Sequence, residues 1–275
     1  MGIIEAIILG IVQGLTEFLP ISSSAHLRVI GDLMGEDPGA AFTAVIQIGT
    51  ELAVLAYFGK DIVRIISKWF RAIPLKWKNP VEQNDPDVRL GWTVIIGSIP
   101  IGVLGLLFDD YIETYLRNIY LVAGVLAVFA VILYMADKYS KRVKKIENIN
   151  LSDGFLYGLG QAMALIPGVS RSGGTITVGL LLGYTREAAA RMSFLMAIPA
   201  VLASGVYELA KYWGEGSLPF MPTLLGTVTS FVVGYAVIVW FLKLVSSKSY
   251  TPFVIYRIFA AIAIVTLAAL GFISA

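Results

Sequence analysis

Residues 3–35 read IIEAIILGIVQGLTEFLPISSSAHLRVIGDLMG, an apolar run that fails at Leu19-Pro20-Ile21-Ser22-Ser23-Ser24. Residues 154–183 read GFLYGLGQAMALIPGVSRSGGTITVGLLLG and fail in the same way at Pro167-Gly168-Val169-Ser170-Arg171-Ser172-Gly173-Gly174. Each half of either run is about 10–15 residues, short of the roughly 20 needed to cross a bilayer. Such halves predict helix pairs that dip into the membrane and return on the same side, with their irregular backbone buried in protein. The two runs also resemble each other. Gly10-Ile11-Val12-Gln13 matches Gly158-Leu159-Gly160-Gln161, and Gly31 and Gly35 match Gly179 and Gly183 at the same offset. Pro20 and Pro167 correspond after a slip of one residue, which points to an internal duplication with one broken pair per half.

The rest of the chain sets these runs in a membrane. It has 275 residues, 57% hydrophobic and 15% charged, with a mean hydropathy of +0.78. Soluble domains carry roughly 25% charged and 45–50% apolar residues, so a water-soluble enzyme is excluded. Six uninterrupted apolar stretches, at about 40–58, 92–108, 119–136, 192–210, 222–242 and 253–274, are long enough to span. The absence of cysteine excludes disulfides, thiol catalysis and thiolate-bound metals, and one histidine, His26, excludes a zinc site of several imidazoles. A net charge of +2 implies no nucleic-acid partner. The first segment lacks a basic flank and carries Glu5 in its apolar run, so it is expected to stay in the mature protein.

Basic residues orient the spans. The 59–89 connection holds Lys60, Arg64, Lys68, Arg71, Lys76, Lys78 and Arg89, and 137–152 holds Lys138, Lys141, Arg142, Lys144 and Lys145. By contrast 109–118 holds only Arg117, and 213–221 holds none. The positive-inside rule puts 59–89, 137–152 and 243–252 in the cytoplasm and both termini outside. The two broken pairs then enter from opposite faces. The expected fold is an all-α integral membrane protein, six transmembrane helices plus two re-entrant helix-loop-helix pairs arranged as an inverted repeat. It forms one membrane domain, 1–275, with halves at about 1–110 and 111–275.

Polar groups inside these runs need a reason, because a charge at the bilayer centre costs roughly 2.5–3.5 kcal/mol on insertion scales. The first run carries Gln13, Glu17, Ser22, Ser23, Ser24, His26 and Arg28; the second carries Gln161, Ser170, Arg171, Ser172 and Thr175. A helix that starts after Ser22-Ser23-Ser24, or after Ser170-Arg171-Ser172, offers free backbone N–H groups, a capping hydroxyl and a positive dipole end. Gly173 and Gly174 would let backbone approach a ligand. Two such starts meeting at the midplane make an anion cradle, and Arg171 adds a planar fork for phosphate oxygens. Glu17 and Gln13, four apart on one helix face, suit a hard cation such as Mg²⁺. Simpler roles stand beside these: Ser22, Ser24 and Ser172 as caps, His26 as a bridge between helices, Arg171 as a structural partner of Glu17. Glu51, mid-span, is either functional or closes a polar contact, and Glu208 with Lys211 reads as a structural pair.

QGLTEFLPISSSAHL (13–27) and PGVSRSGGT (167–175) resemble the two signature blocks of the undecaprenyl-diphosphate phosphatases of the bacitracin-resistance type. Both blocks stand in the family's order and separation. The resemblance implies a plasma-membrane enzyme that removes the terminal phosphate of a polyprenyl diphosphate, recycling the lipid carrier for cell-wall glycan synthesis and conferring bacitracin resistance. It implies catalytic roles for Glu17, Ser23, His26 and Arg171, while the two helix starts themselves suggest substrate contacts from Ser22, Ser24, Ser170, Arg171, Ser172, Gly173 and Thr175. A divalent cation, Mg²⁺ or Ca²⁺, would be held by Glu17 and Gln13. Gln13 fills a position that is often glutamate in the family, which leaves this site one carboxylate poorer. Ser23 activated by His26, direct attack by His26, and water activated by His26 all remain open, with Ser23 preferred. The expected partners are the polyprenyl diphosphate and membrane lipids, a homodimer is compatible with the chain, and the site is expected to open to the outer side. A lipid-phosphate transporter or flippase would share the inverted repeat. A sterol- or lipid-binding scaffold would not need Glu17, His26 and Arg171 together.

Overall fold

The computed structural model describes residues 1–35, 38–74, 79–211 and 218–274, and places them in helices and short connections. In chain order these are α1 (Ile3–Thr16), α2 (Ser23–Met34), α3 (Gly39–Ala72), α4 (Pro86–Tyr115), α5 (Ile119–Tyr139), α6 (Leu151–Ala162), α7 (Arg171–Leu181), α8 (Arg186–Lys211), α9 (Phe220–Val245) and α10 (Thr251–Ala269). Among the described residues, α3, α4, α5, α8, α9 and α10 are long and apolar enough to cross a membrane, and they coincide with the six expected spans. Their outward faces expose Leu106, Leu107, Val128, Val232, Phe259 and Ile262. Contiguous apolar surface of that kind is a liability in water and a solvent match in lipid. The chain is an all-helical integral membrane protein.

Local sequence explains where the helices start. Asn118 accepts from the N–H groups of Tyr120 and Leu121, Asn150 from that of Asp153, and Asp85 from that of Asp87, with Pro86 in the first turn of α4. One boundary differs from expectation. The apolar stretch 40–58 continues as helix to Ala72, because no breaker intervenes before Pro74. Its charged turns are paired at the helix end: Arg64 lies 2.7 Å from Asp61 and 3.1 Å from Asp87, and Lys68 lies 2.9 Å from Asp85. Lys76 and Lys78 lie outside the described residues, as do the side chains of Glu208 and Lys211.

The element order repeats. Two short helices split at a proline-serine break precede three long ones, first as α1–α5 and again as α6–α10. Packing follows the repeat: α1 lies on α9 as α6 lies on α4, α3 meets α9 as α8 meets α4, and α3 meets α8 as α5 meets α10. The matched glycines of the sequence sit at two of these crossings. A Cβ on Gly10 would strike the backbone of Gly226, and one on Gly158 the backbone of Gly97. Small residues at such points let membrane helices approach closely.

In the first broken pair, Met1 and Met34 pack against the apolar cluster of Ala6, Leu9, Leu27, Phe42 and Ile46, as does Leu218, and Asp32 accepts from the Ser274 hydroxyl. For the second pair, the N–H groups of Val143 and Lys144 donate to Gly183 O after α7, and Arg89 donates to Glu147 O before α6. In the core Phe194 meets Phe18 and Phe58 edge-on and Phe241 at a tilt, with ring centroids 5.2–6.4 Å apart.

Candidate active site at the meeting of the two breaks

α2 and α7 begin in the same unusual way. The residue before each helix is a serine in the left-handed region, Ser22 with φ 73° and Ser170 with φ 72°. Such backbone costs on the order of 1–3 kcal/mol in a non-glycine residue and persists only where surrounding structure imposes it. Each serine is also tied to the one two residues on: Ser22 Oγ lies 3.2 Å from Ser24 Oγ, and Ser170 Oγ lies 3.1 Å from Ser172 Oγ. Ser170 Oγ accepts from the Gly173 N–H, capping α7. Ser23 and Arg171 are therefore equivalent first residues of two helices.

The breaks touch each other. Arg171 donates to Glu17 Oε1, joining residues of the two signature blocks, with only 13% and 4% of their side chains exposed. Ser172 Oγ donates to Leu19 O at 2.8 Å. Glu17 also accepts from Gln13 Nε2 at 2.9 Å and Gln47 Nε2 at 3.3 Å, and Gln13 reaches Thr50 Oγ1 at 3.3 Å. Glu51 follows Thr50 on α3 and is buried, with Oε1 lacking any hydrogen-bond partner. The oxygen donors available here are hard ones, carboxylates and amides. Among the described residues no three histidine, cysteine or acidic side chains cluster.

His26 has partners of its own. Its Nδ1 lies 2.7 Å from Ser22 O and its Nε2 2.7 Å from Tyr256 Oη, with the two rings stacked 5.5 Å apart. A carbonyl oxygen only accepts, so Nδ1 carries the proton and Nε2 accepts from the tyrosine in neutral His26. Ser23 is half-buried, and its hydroxyl makes no hydrogen bond to the described residues, so neither ring nitrogen of His26 is engaged with it. Ser24 is exposed, and Arg28 turns away to Arg117 O and Ser274 O.

Three residues expected at the ligand have close neighbours within the protein. A Cβ on Gly173 would meet Arg257, and one on Gly174 would meet the backbone of Gly160 on α6. Thr175 is fully buried, 2.8 Å from Arg171 O and 2.6 Å from Ser193 Oγ. These residues seat α7 against its neighbours, and the open polar surface belongs to Ser23, Ser24, His26 and Arg171.

Arg257, not singled out in the sequence, is the largest fully buried side chain of the described residues. Its guanidinium donates to Leu126 O at 3.0 Å, Pro20 O at 2.9 Å, Val169 O at 3.1 Å and Gly168 O at 2.8 Å. One cation thus ties carbonyls of both breaks. An arginine inside the apolar stretch 253–274 was the available signal, since intramembrane charges mark function by default. Tyr256 and Gln47 carried no such signal. A separate cavity of about 730 Å³, lined by Arg64, Asp87, Arg142, Lys145, Arg186 and Arg191, lies at the end that carries the basic connections and includes none of these groups.

Comparison with known proteins bears on this arrangement. Residues 6–263 match the family model described as bacitracin resistance protein BacA. The chain is 58% identical to the undecaprenyl-diphosphatase of Renibacterium salmoninarum, across 98% of this chain and 96% of that protein. It is 57% identical to the undecaprenyl-diphosphatase of Paenarthrobacter aurescens across the full length of both. It is 56% identical to undecaprenyl-diphosphatase 2 of Agrobacterium fabrum, across 100% and 99% of the two chains.

Proposed function

The chain belongs to the bacitracin resistance protein BacA family, and from that premise we propose that it is a membrane phosphatase converting a polyprenyl diphosphate to the monophosphate and inorganic phosphate. Recycling of a lipid carrier for cell-wall glycan synthesis, and bacitracin resistance, follow from that activity. The observation that carries the reading is the contact between Arg171 and Glu17, which unites the two signature blocks beside two helix starts. Helix N-termini and a guanidinium favour phosphate oxygens and gain further as charge develops in phosphoryl transfer.

Ser23, first residue of α2, whose hydroxyl bonds to none of the described residues, is the nucleophile in this reading. Its Oγ bonds to the terminal phosphorus, the anhydride P–O bond breaks, and the polyprenyl monophosphate leaves with the bridging oxygen. Water then cleaves the phosphoserine and releases inorganic phosphate. His26 takes the serine proton at Nε2, the nitrogen that the Tyr256 hydroxyl now occupies, and returns it to the serine as water attacks. Glu17 and Gln13 would hold Mg²⁺ or Ca²⁺, and their hard oxygens fit such an ion. The cation's contribution when bound is to neutralise diphosphate oxygens. Ser22, Ser24, Ser170 and Ser172 shape the cradle.

The deciding experiment is phosphate release by purified protein from a polyprenyl diphosphate, with and without chelator. Release that stops in chelator and returns with Mg²⁺ or Ca²⁺ is expected. A lipid-phosphate transporter or flippase would release none.

The architecture belongs to the same proposal. Two re-entrant pairs in an inverted repeat are supported by the five-helix order and by the packing it repeats. Three spans per half reverse the second half relative to the first, and the element order favours a division between α5 and α6 rather than near residue 110. Basic connections gathered at one end favour that end as cytoplasmic, with both termini and the site on the outer side. A reporter fused at the C-terminus should be active only when it requires the extracytoplasmic side. Activity confined to a cytoplasmic reporter would reverse the orientation.

A further inference from the structure

Glu51 is a buried carboxylate that the mechanism above does not use. It lies on α3, 1% exposed, with Oε1 carrying no hydrogen-bond partner among the described residues. Every other buried carboxylate of the described residues is served: Glu17 by Arg171, Gln13 and Gln47, Asp137 by Arg186 and the Tyr250 N–H, and Asp153 by Lys144 and the Tyr184 hydroxyl. A charge left unserved at membrane depth costs roughly 2.5–3.5 kcal/mol, so its retention asks for a ligand.

The surroundings identify the ligand's class. Gln47, four residues before Glu51 and so on the same face of α3, donates to Glu17; Thr50, the residue before it, accepts from Gln13. The charged groups that act on Glu51 are Arg171 and Glu17. Arg171 offsets one of the two carboxylates, which leaves one negative charge surplus beside the phosphoryl cradle. A divalent cation converts that surplus to a positive site suited to a diphosphate. Gln13, the other residue assigned to the ion, is an amide and brings no charge.

We propose that Glu51 is the second cation-binding carboxylate of this site, sharing the divalent ion with Glu17 and supplying the charge that Gln13 lacks. The proposal rests on the metal-assisted phosphatase reading and specifies which residues hold the ion. Glu51 would approach the ion from α3, and Gln13 from α1.

Purified full-length protein in detergent tests this with Mn²⁺, through loss of the free-ion EPR signal, and with Ca²⁺, through the rise it causes in unfolding temperature. Four proteins suffice: the unmodified chain, Glu51→Gln, Glu17→Gln, and the exchange variant Gln13→Glu with Glu51→Gln. Cation affinity depends on the number of charged ligands, so Glu51→Gln should bind Mn²⁺ about 10-fold or more weakly and lose most of the Ca²⁺-dependent stabilisation. In chelator it should unfold no earlier than the unmodified chain, because a buried unserved charge has been removed. The exchange variant should recover most of the Mn²⁺ affinity. Mn²⁺ affinity in Glu51→Gln equal to that of the unmodified chain, with Glu17→Gln impaired, overturns the proposal and leaves the phosphatase reading intact. An exchange variant no better than Glu51→Gln also overturns it. An unmodified chain that binds no Mn²⁺ overturns the metal reading and the proposal together, whereas absence of phosphate release from the polyprenyl diphosphate strikes the phosphatase reading itself.

Discussion

Replacing Arg257 with methionine should unfold this protein far more readily than any substitution on its lipid-facing surface, at a cost on the order of 5 kcal/mol. The reason lies in what the guanidinium serves. Pro20, Gly168 and Val169 lie in the two breaks, outside any helical ladder, and their carbonyls are held by Arg257. A buried acceptor stripped of its partner loses about 1–3 kcal/mol, and no water is at hand within a bilayer to replace it. Methionine keeps much of the volume and serves none of the three. Lysine keeps the charge but presents a single nitrogen in place of a planar fork, so it should recover only part of the loss. Thermal unfolding in detergent checks both, with Phe259→Ala on the exposed face as a control for general fragility. An Arg257→Met protein that unfolds within a degree or two of the unmodified chain would mean the breaks hold their shape without the arginine. Phosphate release should fall with stability, because the same side chain fixes the carbonyls between which the two helix starts are set.

That dependence also explains which parts of the molecule were legible beforehand. Spans are written in composition: about 20 apolar residues in a row have few other uses, and all six stretches became helices. The breaks are legible because proline and clustered serines are rare inside such runs, and their spacing repeats. Contacts to backbone carbonyls leave no such trace. Nothing about Pro20, Gly168 or Val169 announces that their oxygens face one distant cation, and Tyr256 is an aromatic residue among 12% aromatic residues in the chain, so its bond to His26 could not be picked out. The glycines show the limit from the other side. Gly173 and Gly174 invite a ligand-facing interpretation because glycine admits close approach, but sequence does not say what approaches. Here it is Arg257 and the backbone of α6. Gly10 and Gly158, matched on sequence, likewise owe their identity to helix crossings rather than to chemistry.

The Arg171 substitutions test whether both halves contribute to one reaction. Arg171→Ala and Arg171→Lys are each expected to lower phosphate release by on the order of 10²-fold or more, comparable to losing one preorganised donor to a developing oxyanion. Arg171 stands at the first position of α7, more than half the chain away from Glu17, yet donates to its carboxylate. That bond uses one of the guanidinium's five N–H donors, and the others remain for phosphoryl oxygens. A lysine at the same place can still pair with Glu17 as a point charge, so the cluster's electrostatics survive while the bidentate grip is lost. The two substitutions therefore separate two accounts. If the arginine serves only as a counter-ion for Glu17, lysine restores turnover and alanine alone is impaired, chiefly through stability. If it grips the transferring phosphoryl group, both variants lose kcat, and lysine does so with its unfolding temperature nearly unchanged. Measuring kcat and KM beside thermal unfolding for the two variants decides the matter. A lysine variant of normal kcat would reduce Arg171 to a structural partner and confine the chemistry to the first break.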